Sequence, residues 1–197
     1  TEYELIAETG TILQIDAPDL LAGFTLTYKD DSVDRFRERV RTHVDALNRA
    51  VAGVPDDQIR LHGCWGNYEG PHHRDVALDE VIGAFYEADV GGLVVEGANP
   101  RHQHEYRTFE EHPLPDGWNL IPGVIDVKTN IVEHPEVVAE RIERFADAVG
   151  DPERVVAGAD CGFETVVAGA NAVHPAIAWK KLEALREGAD LAAERLA

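Results

Sequence analysis

Four side chains in this sequence are of the types that hold a soft metal ion. His62 and Cys64 stand two apart in "RLHGC", Glu96 closes the apolar run "GGLVVE", and Cys161 follows Asp160 in "AGADCG". One imidazole, two thiolates and a carboxylate make a tetrahedral zinc set. Residues at i and i+2 of an extended strand point to one face, so His62 and Cys64 aim together. The close-spaced cysteine pairs of fingers and ribbons are absent. Two other readings of the chain's two cysteines stand beside zinc: small buried core residues, or one long-range disulfide.

The elements that must position these groups alternate. Strands are predicted over 11–16, 59–64, 91–98, 119–127 and 154–162, each a short apolar run. Helices are predicted over 32–53, 76–88, 134–150 and 174–197, with a short one over 102–111. In the first, Val33, Phe36, Val40, Val44, Leu47 and Val51 recur at intervals of three and four, with Ser32 as cap. The last presents Leu182, Leu185, Ala189, Ala192 and Leu196 on one face. Strand–helix alternation with near-continuous apolar strands implies an α/β protein with a parallel sheet covered by helices. That sheet is either doubly wound or part of an eight-stranded barrel. No glycine-rich dinucleotide fingerprint follows a strand. The strands end at Asp16, His62 and Cys64, Glu96, Asp126 (with Lys128 just beyond), and Asp160 and Cys161. In a parallel barrel these ends converge on the face that carries the active site.

The 197 residues suffice for one domain with a hydrophobic core, and the chain is read as one, residues 1–197. Its net charge is −19, from 37 acidic against 18 basic residues. Phosphate contacts need clustered Lys and Arg, so nucleic-acid binding is excluded. No run of 18 apolar residues exists, so no membrane span is expected. The start, "TEYELIAETG", has no signal-peptide pattern, which makes a cytoplasmic protein the expectation.

The same residues carry a resemblance. His62-Gly63-Cys64, "VVEGA" with Glu96 and "ADCGF" with Cys161 resemble the C-terminal catalytic barrel of cobalamin-independent methionine synthase. "LQIDAPDL" resembles that family's strand ending in Ile-Asp-Glu-Pro, and "PGVIDV" its penultimate strand. The five blocks match in order and spacing. The resemblance implies a (β/α)8 TIM-barrel type, of which this chain holds the last five strand–helix units. It implies Zn2+ on His62, Cys64, Glu96 and Cys161, which activates the homocysteine thiol toward a methyl donor. Glu96, the hard oxygen donor, is the ligand expected to yield. It also implies that Asp16 contacts the substrate's amino group and that Asp126 supports the pocket. The second acid of Ile-Asp-Glu-Pro is lost here, and the family's proton-donating His falls at Lys128.

"WGNYEGPHH" (65–73) is unlike the true synthases and more similar to the branch containing epoxyalkane:coenzyme M transferase, where zinc activates a thiol to open an epoxide. Trp65, Asn67, Tyr68, Glu69 and His72 are expected to line the substrate mouth, with His73 beside them. "RHQHE" (101–105) is read as a solvated helix face rather than a second metal site. The expected partners are a small thiol, a methyl donor and a second chain covering the half-barrel's edges. A half-barrel or binding module without activity is the different-class alternative.

The acidic balance has one reading that needs no partner: adaptation to high salt, where surface carboxylates hold counter-ions. The thermal unfolding midpoint is then expected to rise from dilute buffer to molar KCl. A domain most stable in dilute buffer would contradict this.

Overall fold

A computed structural model of the chain describes residues 2–164 and 173–197. The strands β1 (Leu13–Ala17), β2 (Ile59–Gly63), β3 (Gly92–Val95), β4 (Asn119–Ile125) and β5 (Gly158–Ala159) form one parallel sheet in sequential order. A doubly wound sheet would reverse strand order at a switch point. Sequential order is barrel winding, and the sheet is a curled half-barrel with β1 and β5 at its two edges.

The helices are α1 (Glu2–Ala7), α2 (Ala22–Leu26), α3 (Val33–Val51), α4 (Ile82–Phe85), α5 (Thr108–Glu111), α6 (Pro135–Val149) and α7 (Pro175–Leu196). Ser32 caps α3 by accepting the Arg35 N–H, and Phe36, Val40, Val44 and Val51 are buried. The two His-Pro pairs start helices in the same way. The rings of His134 and His174 accept the N–H of Glu136 and Ala176, with proline in the first turn of α6 and of α7. Gly150 ends α6 in the left-handed conformation at φ 76°.

Three expectations change. The helix over 76–88 shrinks to α4, because backbone groups before it have tertiary partners instead of helical ones. Val76 O accepts the Trp65 indole at 2.7 Å, and Leu78 N donates to Glu105 at 3.2 Å. The strand over 154–162 shrinks to β5 and a single bridge at Val155. Pro122 has no N–H for the ladder, and the pairing of β4 to β5 shifts register just beyond it. The buried face of α7 runs through Lys181, Ala184, Gly188 and Ala192, and Leu182 is exposed. Small residues there allow α7 to approach α6, where a Cβ on Gly188 would lie 2.4 Å from Val138 Cβ. Among the described residues no helix is long and apolar enough to cross a membrane.

The close approach of β4 to the Asp160 turn requires a glycine. A Cβ on Gly123 would lie 2.1 Å from Asp160 Oδ1 and 2.5 Å from Asp160 Cα. Backbone cannot yield as a flexible side chain can, so Gly123→Ala is expected to cost about 1–3 kcal/mol. Urea denaturation measures it; an unchanged midpoint would show that the two strands separate freely there.

Candidate metal centre

Parallel register sets Asp16 beside His62 and His62 beside Val94 at the C-terminal ends of β1, β2 and β3. His62 faces the concave side of the sheet, where Gln14, Arg60, Val94, Ile121 and Cys161 also line a cavity of about 400 Å³. Its Nδ1 lies 3.1 Å from Asp16 Oδ1. Its Nε2 is buried with no hydrogen-bond partner. A buried ring nitrogen left empty is costly, and an imidazole held from behind by a carboxylate is oriented as a metal ligand.

Ligand atoms of His62, Cys64 and Cys161 all lie within 4.8 Å of one another. The two sulfurs are 3.9 Å apart and both cysteines are free, so there is no disulfide. Two sulfurs bound at 2.3 Å to a tetrahedral zinc are ~3.8 Å apart. Glu96 Oε1 is 3.9 Å from Cys64 Sγ. The Gly66 N–H points at Cys64 Sγ at 3.2 Å, which stabilises a thiolate. The two sulfurs form one hydrogen-bonded pair. The bond to Cys161, with burial, pushes Cys64 up; the bond from Cys64 holds Cys161 below the ordinary thiol value. A metal removes that competition by taking both as thiolates. The donor set therefore fits zinc.

Glu96 is fully buried and saturated with donors. Oε1 accepts Trp65 N at 3.2 Å; Oε2 accepts Asn99 Nδ2 and Lys128 Nζ, both at 2.8 Å. Burial pulls the Lys128 ammonium down, but the charge of Glu96 outweighs it and holds the amine above its usual value. Lys128 is itself positioned by the turn after β4. Asp126 Oδ1 accepts its N–H at 3.1 Å, Glu133 accepts the Asp126 N–H at 2.8 Å, and the fully buried Lys181 of α7 bonds Glu133 at 2.9 Å.

Of the residues expected at this site, His62, Cys64 and Cys161 converge; Glu96 stands beside Cys64 but outside that group of three, with Asp16 behind His62 and Lys128 behind Glu96. Asp126 acts on the Lys128 backbone. The loop residues separate. Asn67 donates to Gly162 O and so ties the loop to the segment after Cys161. Tyr68 stacks on His72, with ring centroids 4.2 Å apart, and Glu69 and His73 are exposed. Trp65 and His72 are buried beneath the loop instead of open at the mouth: Trp65 is stacked on His102 at 3.9 Å, and His72 is bound to Asp75 at 2.7 Å. The solvated reading of "RHQHE" holds for His104 and fails for His102, which is 2 % exposed and lies against Asp75. The segment folds as a turn and not as a helix there, and this rotates His102 inward.

Sequence reasoning missed Asn99 and gave Asp160 no role. Asp160 Oδ1 accepts the N–H groups of Gly97 and Ala98, and Oδ2 accepts N and Nδ2 of Asn99. Burial, with Glu96 nearby, pushes its carboxyl up to about 6. Asn99 then bridges Asp160 to Glu96. The available signal was Asn99-Pro100, a turn dipeptide directly after a strand end.

A half-barrel with thiol, imidazole and carboxylate side chains at its strand ends defines an α/β barrel class with a candidate metal centre. Within it, residues 3–179 match the family described as the cobalamin-independent synthase catalytic domain. The chain belongs to that family, which is methyltransferase-like. It is 30% identical over 179 residues to a 2-hydroxypropyl-CoM lyase from Xanthobacter autotrophicus, covering 78% of this chain and 46% of that protein. It is 27% identical to a methionine synthase from Thermococcus kodakarensis, covering 100% of this chain and 48% of that one. The chain thus spans about half the length of these relatives. A methionine synthase structure from a Shewanella species, in complex with selenomethionine, superposes with TM-score 0.68 at 19% identity, covering 94% of this chain and 49% of that one. This likeness establishes the shared barrel fold.

If Asp16 orients His62 as a ligand, Asp16→Ala is expected to weaken zinc binding by about 10–100-fold and leave the fold intact. Competition against a chelator measures the affinity, and circular dichroism the fold. Unchanged affinity would show that Asp16 does not act through His62.

Proposed function

We propose that this chain is the catalytic half of a zinc-dependent transferase that alkylates the sulfur of a small thiol. Methyl transfer to homocysteine is the preferred form. The observation that carries the reading is the convergence of His62, Cys64 and Cys161, one ligand atom of each lying within 4.8 Å of the others, with the buried His62 Nε2 lacking a hydrogen-bond partner. Zinc held by His62, Cys64, Cys161 and Glu96 supplies Lewis-acid activation, which keeps a thiol deprotonated near neutral pH.

The remaining roles belong to the chain's own side chains. With zinc bound, Glu96 would be the ligand to give way to a thiol, and Lys128 and Asn99 on its other oxygen would keep its charge compensated. Lys128 stands where the resemblance places the family's proton donor, and its ammonium balances the charge of Glu96. Asp126 holds the turn that aims Lys128. Asp16 remains 61% exposed, open to a substrate ammonium, as an amino-acid thiol requires. Asn67, Tyr68 and Glu69 border the entrance, and Trp65 and His72 support them from below.

A second reading, epoxide opening by coenzyme M, draws on the Xanthobacter relative and on Arg60 in the same cavity, a cation of the sign a sulfonate takes. The exposed edges of β1 and β5 are suited to further strands, supplied by more of the same polypeptide or by a second chain. A cytoplasmic location accords with a reduced cysteine pair.

X-ray absorption at the zinc edge tests the site and the substrate together. Zn–S scattering near ~2.3 Å is expected, lost in the Cys64→Ser, Cys161→Ser double variant. Homocysteine is expected to raise the sulfur count. A rise with coenzyme M alone would select the second reading; no change with either would leave a structural site.

A further inference from the structure

A second cluster of ligating side chains lies beneath the 65–78 loop, and the function proposed above uses it for no more than the support His72 gives the entrance. His72, Asp75 and His102 are all buried, and one atom from each lies within 4.8 Å of the others. Asp75 Oδ2 is 2.7 Å from His72 Nδ1 and 3.1 Å from His102 Nε2. We propose that these three residues form a second cation site, taking a divalent first-row metal on two imidazoles and one carboxylate.

The far side of each ring is arranged for this. His72 Nε2 faces the Tyr68 carbonyl at 3.0 Å, so it carries the ring's hydrogen and donates it. A neutral His72 would then turn a lone pair on Nδ1 toward a carboxylate oxygen, which repels it. His102 Nδ1 has no hydrogen-bond partner and is 3.7 Å from Glu105 Oε1. With Nδ1–H turned to Glu105, the lone pair of Nε2 likewise faces Asp75. A cation between the inner nitrogens and Asp75 resolves both conflicts. It leaves the His72 Nε2–H on the Tyr68 carbonyl, the usual support of a metal-bound histidine, and the His102 Nδ1–H turned toward Glu105.

Charge points the same way. Asp75 and Glu105 place two acids in a region almost closed to water, with side-chain exposures of 1% and 5%. Buried charge demands compensation. A dication supplies that compensation for both acids. Metal–nitrogen and metal–oxygen bonds of about 2.0–2.2 Å set donors ~3.3–3.5 Å apart on a tetrahedron, so the cluster opens by less than an ångström to admit one. The fourth position falls to water or to Asp75 Oδ1, now 3.3 Å from the Thr25 hydroxyl.

The backbone supports a built site. His72 is the non-glycine residue with positive φ, at 49°, a conformation that persists where surrounding bonds enforce it. The consequence reaches the first site, because Trp65 stacks on His102 and donates its backbone N–H to Glu96. A metal here would pin the loop that follows Cys64 to the turn that follows β3.

The test is cobalt loading of the full chain after chelator treatment, with metal content and absorption spectra measured together. Wild type is expected to bind two Co2+ per chain. The Cys64→Ser, Cys161→Ser double variant keeps one, with visible d–d bands and no thiolate charge-transfer band. His72→Gln with His102→Gln loses that ion and retains the thiolate-bound one. If the histidine variant does not fold, Asp75→Asn and the wild-type stoichiometry decide. A single Co2+ in wild type, all of it thiolate-bound, overturns the second site and leaves a proton-bonded brace. A single ion without thiolate bands supports the second site and defeats the first.

Discussion

Glu96 puts a carboxylate with no solvent exposure at the end of the central strand, and the surrounding structure is arranged to tolerate it. An isolated carboxylate in such a place would cost several kcal/mol or take up a proton. Here three donors reach it from three segments: the Trp65 amide after β2, Asn99 after β3, and Lys128 after β4. Each donor is also fixed from behind. Asp160 holds Asn99, Asp126 and Glu133 hold the Lys128 turn, and the stack on His102 holds Trp65. The strand ends are therefore one connected polar network, with the two cysteines and His62 on its open side.

That network explains why so many charged groups lie inside a small sheet. Buried polar groups are tolerated when every member is satisfied. Two of the exceptions among the described residues bear on the proposed metal sites: His62 Nε2, on the ring beside the cysteines, and His102 Nδ1 opposite Glu105. One empty nitrogen faces a soft donor set and the other belongs to a hard one, so the two clusters differ in kind although Trp65 joins them.

Much of the fold was legible because the relevant signals are local. The faces of α3 and α6 follow from three-and-four spacing. On α7 the same reasoning found Leu185, Ala189, Ala192 and Leu196, which pack on the core, but it included the exposed Leu182 and passed over the buried Lys181, Ala184 and Gly188. Amphipathicity ranks residues by apolarity, but close helix packing selects by size. The expected helix over 76–88 failed for a related reason: its pattern was helical, yet distant side chains took its backbone hydrogen bonds.

The sequence by itself determined the alternation of strands and helices, the donors at each strand's end, and the shared face of His62 and Cys64, because side-chain alternation along a strand is a property of neighbouring residues. Only the tertiary structure decided which donors meet. Cys64 and Glu96 are 32 residues apart, and Asp75 and His102 are 27 apart. Such distances close through parallel pairing and crossover connections, and no local period encodes them. That is why His102, half of a polar pair in a stretch read as solvated, lies in the interior, and why the aromatic and histidine residues of "WGNYEGPHH" divide between the mouth of the site and its foundation.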